Sequence, residues 1–570
     1  MLNDPPGAWN PGIQSRVPAE LRHLCTIFRP ENVLSSVAAA AEMGSLTGLS
    51  PGELVAFRPQ RLVLHELLIR ITADFVVPDG SRIEDLGINF RRIATLILGQ
   101  YIAPQMAAVE SDFEQVRRRL TAAVHAALSI VGERDWGPAQ IAECERLAVA
   151  ATEAAQAAAY RALARVMAAL FSTHGCAWGA RDLIVSLAVG LGLNAYGSDE
   201  VGRMIEPVLR HAARAEGYRL LPRQERPVVI NTKGPSASGK STLRPRQKKL
   251  AGDIGVQWED FALISPDIWR KQLLDYGALG AAYKYAGAFT AEELQIVDQK
   301  LDRYMARKHQ RGEMSHLLID RFRFDSFAPD SDEAGSNLLT RFGQRVYLFF
   351  MITSPELLVE RAWKRGLEVG RYKAVDDTLA HAVEAYTGMA DFFFTWIRRG
   401  DKRIQFEFLD NSVHLGERPR TVAFGDNDTF NVLDVKGALD IARYGRVNVD
   451  ASAPELLYVH PEQLAPEHNR DFLRRCMHEF RNMQFADQAT GRIYLRIESG
   501  TPVLIDPAAL SAALADPDTL AGVRAVAPAA LGGAVPAIEQ ARYLCGPEAA
   551  PAAPTLGEWG AENRYSRKSQ

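Results

Sequence analysis

The chain has 570 residues, of which 47% are hydrophobic and 24% charged, and a formal net charge of -3 from 66 Lys and Arg against 69 Asp and Glu. At about 150 residues per domain this is material for roughly two to four domains, with ample apolar content for their cores. Wholesale disorder is excluded, and the absence of a basic excess argues against nucleic acid or an anionic membrane as the main partner.

The opening residues, MLNDPPGAWNPG, have no basic and then apolar segment of the secretory kind. The longest apolar stretches, such as 183–195, fall short of the ~18 residues of a membrane span. The cytoplasm is the default compartment; a secreted effector with a non-cleaved export signal would look the same. The five cysteines (Cys25, Cys144, Cys176, Cys476, Cys545) form no Cys-x-x-Cys pair and read as reduced or incidental thiols.

Lysine usage marks a first boundary, because no lysine precedes Lys233. The front part is rich in alanine, with apolar residues at three- and four-residue spacing over 110–131 and in the long pattern 138–172, where Pro138 suits a first helical turn. These features predict an all-α bundle over about 20–220, set down as a domain at 1–222.

From Arg226 onward, short apolar runs alternate with helical stretches. The predicted strands are 227–231, 261–265, 316–320, 345–353 and 404–410. Such alternation predicts an α/β domain at 223–415: a mostly parallel sheet with helices on both faces, of the phosphate-loop NTPase type. Beyond Val413 the pattern predicts a hairpin at 421–435, a helix at 461–485 and a second hairpin at 493–506 turning at Ser499-Gly500, together a small α+β domain at 416–545. The Pro/Ala/Glu-rich end, 546–570, reads as a disordered tail.

One motif carries chemistry on its own. GPSASGKST comprises Gly234, Pro235, Ser236, Ala237, Ser238, Gly239, Lys240, Ser241 and Thr242. It fits the phosphate-binding pattern G-x-x-x-x-G-K-[ST] and lies between a predicted strand and a predicted helix, in the required order. The glycines let successive backbone N–H groups curl inward onto phosphate oxygens, Lys240 offers a point charge to the β- and γ-phosphates of ATP, and Ser241 offers a hydroxyl to Mg²⁺.

Four further features are weighed beside it. Asp267, past the second strand, is placed to act as a general base or as a helix N-cap, and the two roles are compatible. Asp320 closes the run Leu317-Leu318-Ile319 as a second Mg²⁺-holding group does, or else bonds to a turn; Asp325 is the weaker candidate, and Arg321 and Arg323 follow as substrate-binding or solvent-facing groups. Arg361, Lys364 and Arg365 share a helix face, and Gly366 and Gly370 are read as breaking that helix into a loop carrying Arg371, which gives either a closing lid or a solvated basic face. Residues 283–294 are a substrate flap or a helix start. Phe392, Phe393, Phe394 and Trp396 read as core, the 426–428 run as a turn, and Cys476 and His478 as structural.

Taken together, 226–413 resembles the zeta-toxin family of small-molecule kinases, relatives of polynucleotide kinase. The resemblance rests on GPSASGKST, Asp267, the run LLID and the R-G-x-x-x-G-R pattern from Arg365 to Arg371, over about a third of the chain. It implies that Asp267 activates a sugar hydroxyl and that Arg365 and Arg371 act on the transferring phosphoryl group. It implies ATP and Mg²⁺ as cofactors and a nucleotide, a sugar-nucleotide such as UDP-N-acetylglucosamine, or NAD as acceptor. The long spacing between Lys240 and Asp267 looks nearer the avirulence-effector branch, whose members phosphorylate the adenosine ribose of NAD. The flanking domains have no place in the minimal toxin, and no antitoxin or other protein partner is visible. An ATP-driven regulatory switch without turnover and a 5′-hydroxyl polynucleotide kinase are the competing readings, the latter opposed by the charge balance.

Overall fold

The structure is a computed structural model that describes residues 6–132, 137–175, 180–321, 339, 342–343, 345–414, 416–532, 535, 542–544 and 554–560. The chain divides into two compact units. One comprises Met1–Ser15, Pro222–Ser265 and Met305–Gln570; the other comprises Arg16–Leu221 and Pro266–Tyr304.

The first unit carries a single ten-stranded sheet: β1 (Val228–Lys233), β2 (Phe261–Ile264), β3 (His316–Ile319), β4 (Arg345–Ile352), β5 (Arg403–Asp410), β6 (Arg420–Asp426), β7 (Thr429–Val432), β8 (Asn482–Ala486), β9 (Ile493–Glu498) and β10 (Thr501–Leu504). Their spatial order is β10-β9-β8-β7-β6-β5-β4-β1-β3-β2. The five strands expected from apolar runs are all present, and they pair in parallel as the block β5-β4-β1-β3-β2. β1, β3 and most of β4 are buried on both faces, which is why 228–230, 317–319 and 346–352 read as hydrophobic runs rather than alternations; the second half of β1, Asn231-Thr232-Lys233, is buried as well.

The sheet does not stop at the expected boundary near 415. β6 pairs antiparallel with β5, β7 with β6, β8 runs parallel to β7, and β9 and β10 close the edge antiparallel. Both predicted hairpins are present, the second turning on Ser499 (φ 49°) and Gly500 (φ 80°), the two left-handed positions that a tight hairpin needs. The core is equally continuous. Phe393, fully buried, lies with its ring centroid 5.8 Å from Phe350, 4.8 Å from Phe406, 5.1 Å from Phe408 and 6.0 Å from Phe480. Aromatic side chains from both sides of residue 415 therefore share one core.

The helix expected over 461–485 shrinks to Asp471–Glu479. Pro461 and Pro466 confine what precedes it to short 3₁₀ turns, and Asn482–Ala486 leaves it to pair with β7 and β9. The segment 554–560, inside the expected disordered tail, is ordered. Glu407 of β5, fully buried, accepts hydrogen bonds from the backbone N–H of Leu556 (2.6 Å) and Gly557 (2.9 Å) and from the Thr421 hydroxyl (2.7 Å), while Trp559 packs on Phe424.

Burial pushes the Glu407 carboxyl up from 4.5 to about 7, against those hydrogen bonds. A raised acid binds its proton more tightly in the folded state. The associated stability is complete below pH 4.5 and is lost as pH rises through about 7; it amounts to about 3 kcal/mol. Urea unfolding at pH 4.5 and pH 8 should show this loss in the natural chain and not in Glu407→Gln, and equal slopes in the two would refute it.

The second unit is helical. The expected helix over 110–131 runs Met106–Val131, and 138–172 splits into Pro138–Ala150 and Ala154–His174, with Ala151 extended (φ −66°, ψ 130°) at the break. At the centre of the unit lies Pro59–Asp74, in which every residue from Arg61 to Ala73 is buried. The helices of Pro266–Tyr304 belong to this unit, and the segment 283–294 is helical, entering Ala291–Gln310.

A buried polar network joins them. Glu293, fully buried, takes both arms of Arg61 and the Nε2–H of His65 (2.7 Å), while Lys300 donates to His65 Nδ1 (3.0 Å). Burial, and then Lys300, lowers His65 to about 3, so the imidazole is neutral. Trp269 Nε1 donates to Thr72 Oγ1 (3.1 Å), and the Tyr304 hydroxyl donates to Asp74 (2.5 Å).

Candidate active site

The loop 234–242 leaves the carboxyl end of β1, between the ends of its neighbours β3 and β4. In open α/β sheets this crevice is where ligands bind. Two glycines are required there by shape. At Gly234 (φ 153°) a Cβ would stand 2.8 Å from Met351 Cβ, and at Gly239 (φ 90°) it would stand 2.3 Å from Asn411 Nδ2. Between them Ala237 holds φ 66°, a left-handed conformation costly for a residue with a side chain and characteristic of binding loops.

The loop is braced from behind. Asn411, just past β5, donates to Ser238 O (2.8 Å), and Arg361 Nη2 donates to Asn411 O (2.8 Å) and Val413 O (2.7 Å). Arg361, one of the basic residues read as a lid or a solvated face, is thus a brace for the segment that holds the loop. Ser238 Oγ is buried without a hydrogen-bond partner among the described residues. Lys240 Nζ turns back onto the carbonyls of Gly234 (3.0 Å) and Pro235 (2.9 Å). The loop then enters a 3₁₀ turn, Lys240–Leu243, which continues as the helix Arg244–Asp253, with Thr242 Oγ1 on Gly239 O (2.6 Å).

Ser241 and Asp320 meet: the Ser241 hydroxyl donates to Asp320 Oδ2 at 3.1 Å, where β3 ends. Two hard oxygen donors side by side suit Mg²⁺, which is held by one or two protein oxygens, waters and phosphates rather than by a full protein cage. Among the described residues no three His, Cys, Asp or Glu side chains gather as such a cage.

Asp267 lies in the helical unit, at the second position of the 3₁₀ turn Pro266–Trp269 and not at its cap. Its carboxylate is 48% exposed and paired with Arg270 Nε at 2.9 Å; Arg270 also donates to Gly287 O and Thr290 Oγ1. Arg365 is on the helix Pro355–Val369 and Arg371 follows its end. Gly366 does not break that helix. The helix runs to Val369 and stops at left-handed Gly370, and Gly366 lets the Tyr372 ring approach so closely that a Cβ would lie 2.5 Å from it. Asp325 and Arg323 lie outside the described residues. Sequence reasoning missed Asn411 and the bracing role of Arg361; a polar residue directly after a strand of the parallel block was the available signal for the former.

The described residues define an α/β protein with a glycine-shaped loop at the carboxyl end of a central parallel strand. No family model and no curated protein matches the chain. One solved structure, from the PezAT chromosomal toxin–antitoxin system of Streptococcus pneumoniae, is similar over 38% of this chain and 78% of its own, at 18% identity and a TM-score of 0.25. Among the described residues no helix is long and apolar enough to cross a membrane.

Proposed function

We propose that the chain is an ATP-dependent phosphotransferase of the zeta-toxin-like kind, acting on a hydroxyl of a nucleotide, sugar-nucleotide or NAD-type small molecule. The observation that carries this reading is the contact between Ser241 of the loop and Asp320 at the end of the neighbouring strand. A hydroxyl and a carboxylate side by side support a phosphate-bound Mg²⁺ held by both.

In this reading the backbone of residues 234–242 cradles the phosphates. Lys240 exchanges its two loop carbonyls for phosphate oxygens, trading neutral acceptors for charged ones. Bound Mg²⁺ would neutralise charge on the phosphates. Asp267 takes the proton of the acceptor hydroxyl, and its exposure leaves it open to solvent-borne substrate. Arg365 and Arg371 stabilise charge on the group in transfer.

Titration with a fluorescent ATP analogue tests the reading. Lys240→Ala should weaken binding by about 10–100-fold, the worth of a charge-assisted contact, and abolish transfer. Its unfolding midpoint serves as the control for lost loop bonds. A panel of nucleotides, sugar-nucleotides and NAD, scored by acceptor-dependent ADP release, identifies the acceptor. Nucleotide-dependent partner binding without turnover would instead mark a switch, and unchanged affinity with unchanged turnover would refute the assignment.

A further inference from the structure

A cavity of about 200 Å³ in the sheet-bearing unit is lined by Arg246, Lys249, Leu250 and Asp253 of the helix Arg244–Asp253, by Arg418, and by Pro554, Thr555 and Leu556. Three of its side chains are cations. Lys249 is answered by Asp253 at 2.8 Å, one turn along the same helix. The two guanidinium groups are not answered in this way. Arg418 places its Nε on Leu556 O (2.7 Å), and neither of its Nη groups, nor any side-chain nitrogen of Arg246, has a hydrogen bond among the described residues. The carboxylate near both is Glu558, which is exposed; the buried Glu407 also acts on Arg418.

Both arginines are half-buried. Two like charges held together, half withdrawn from water, repel. Burial depresses the proton affinity of both, and for Arg418 the nearness of Arg246 adds to it. An anion seated between them would accept from both guanidinium groups and remove the repulsion together. Each guanidinium presents its donors as a rigid planar fork. Two forks call for more acceptor oxygens than one carboxylate has, and a phosphate supplies them.

We propose that this cavity is a binding site for a phosphate group, as inorganic phosphate or a small phosphomonoester, gripped by Arg246 and Arg418 and separate from the loop 234–242. The volume is below the ~300 Å³ of the smallest drug-sized sites, so a phosphate with a short substituent fills it. One wall is the strand-like segment that Glu407 fastens from the sheet through Leu556 and Gly557. The other is the helix that continues directly from the Lys240–Leu243 turn. A ligand here therefore bears on the element that follows the loop.

The proposal is tested by isothermal titration of the full-length Lys240→Ala protein, in which the loop's own affinity for phosphate is reduced. Inorganic phosphate and glucose 6-phosphate are used as separate probes. One site with millimolar or tighter affinity is expected, weakened about tenfold or more by adding Arg246→Gln. Arg246→Gln deletes no side-chain hydrogen bond of the folded chain among the described residues and relieves the repulsion with Arg418, so the unfolding midpoint without phosphate should not fall. Arg418→Lys, which keeps charge and loses the fork, should weaken binding as well. Tighter binding of inorganic phosphate would identify the free ion as the ligand, and tighter binding of glucose 6-phosphate a phosphomonoester; either supports the site. Absence of heat with both probes up to about 10 mM, or affinity untouched by Arg246→Gln, overturns it.

Discussion

Glu293→Ala should destabilise the helical unit by about 3–5 kcal/mol, the cost of removing one partner from a buried ion pair. Arg61 would keep only its bond to Leu273 O, the Nε2–H of His65 would lose its acceptor, and Lys300 would lose one of the carboxylates that offset its burial, beside Glu66. Burial already depresses Lys300 to about 8, and against burial Arg61 and His65 hold Glu293 far below the usual carboxylate range. Glu293→Gln keeps the shape and part of the hydrogen bonding and should cost less. The same network sets an expectation for truncation. A fragment ending at Leu221 lacks Trp269, Glu293, Lys300 and Tyr304, so Thr72, Arg61, His65 and Asp74 lose their partners together. Such a fragment should unfold without a cooperative transition, and it should gain one when Pro266–Tyr304 is supplied in the same chain. Urea denaturation followed by circular dichroism decides: a fragment as cooperative as the full chain, or a Glu293→Ala variant within about 0.5 kcal/mol of the natural protein, would show the network to be dispensable.

The parallel block was readable from sequence because β2 and β4 are mostly apolar runs, β1 opens on one and β3 ends on one, while β5 alternates, and burial favours that composition. The extension of the same sheet beyond β5 was not readable. Pairing partners are set by long-range packing, and hairpins at 420–432 and 493–504 look alike whether they form a small domain or an edge. The error at 461–485 has a local cause. Cys476, Phe480 and Met483 fall at spacings of four and three, so a helical pattern runs on into β8, whose alternation lasts five residues only.

The grouping of Pro266–Tyr304 with the front helices was hidden because its tie is polar. Arg61, His65, Glu293 and Lys300 are residue types that a sequence reading assigns to the surface. At the site, the loop residues were found because glycine spacing is itself the mechanism. Asn411 and Arg361 were not assigned their roles, since a brace reveals itself only through the backbone carbonyl it reaches.

Asp267→Asn and Asp320→Asn should separate two roles in the proposed phosphoryl transfer. Asp267→Asn keeps the size of the side chain and can still meet Arg270, but loses basicity. ATP and Mg²⁺ binding should stay nearly normal while kcat falls by about 10²–10⁴-fold, the worth of a positioned acid–base group. The loss should not respond to added Mg²⁺. Asp320→Asn retains an oxygen for the Ser241 hydroxyl but presents a neutral donor to a hard cation. Apparent Mg²⁺ affinity should fall, and raised Mg²⁺ should recover part of the rate, because the carboxylate contributes to holding the ion and not to the proton transfer. Rates measured across a Mg²⁺ series with the acceptor identified above distinguish the outcomes. Rescue of Asp267→Asn by Mg²⁺, with none for Asp320→Asn, would exchange the two assignments. A fully active Asp267→Asn would remove that carboxylate from the mechanism, and the base would have to be another residue.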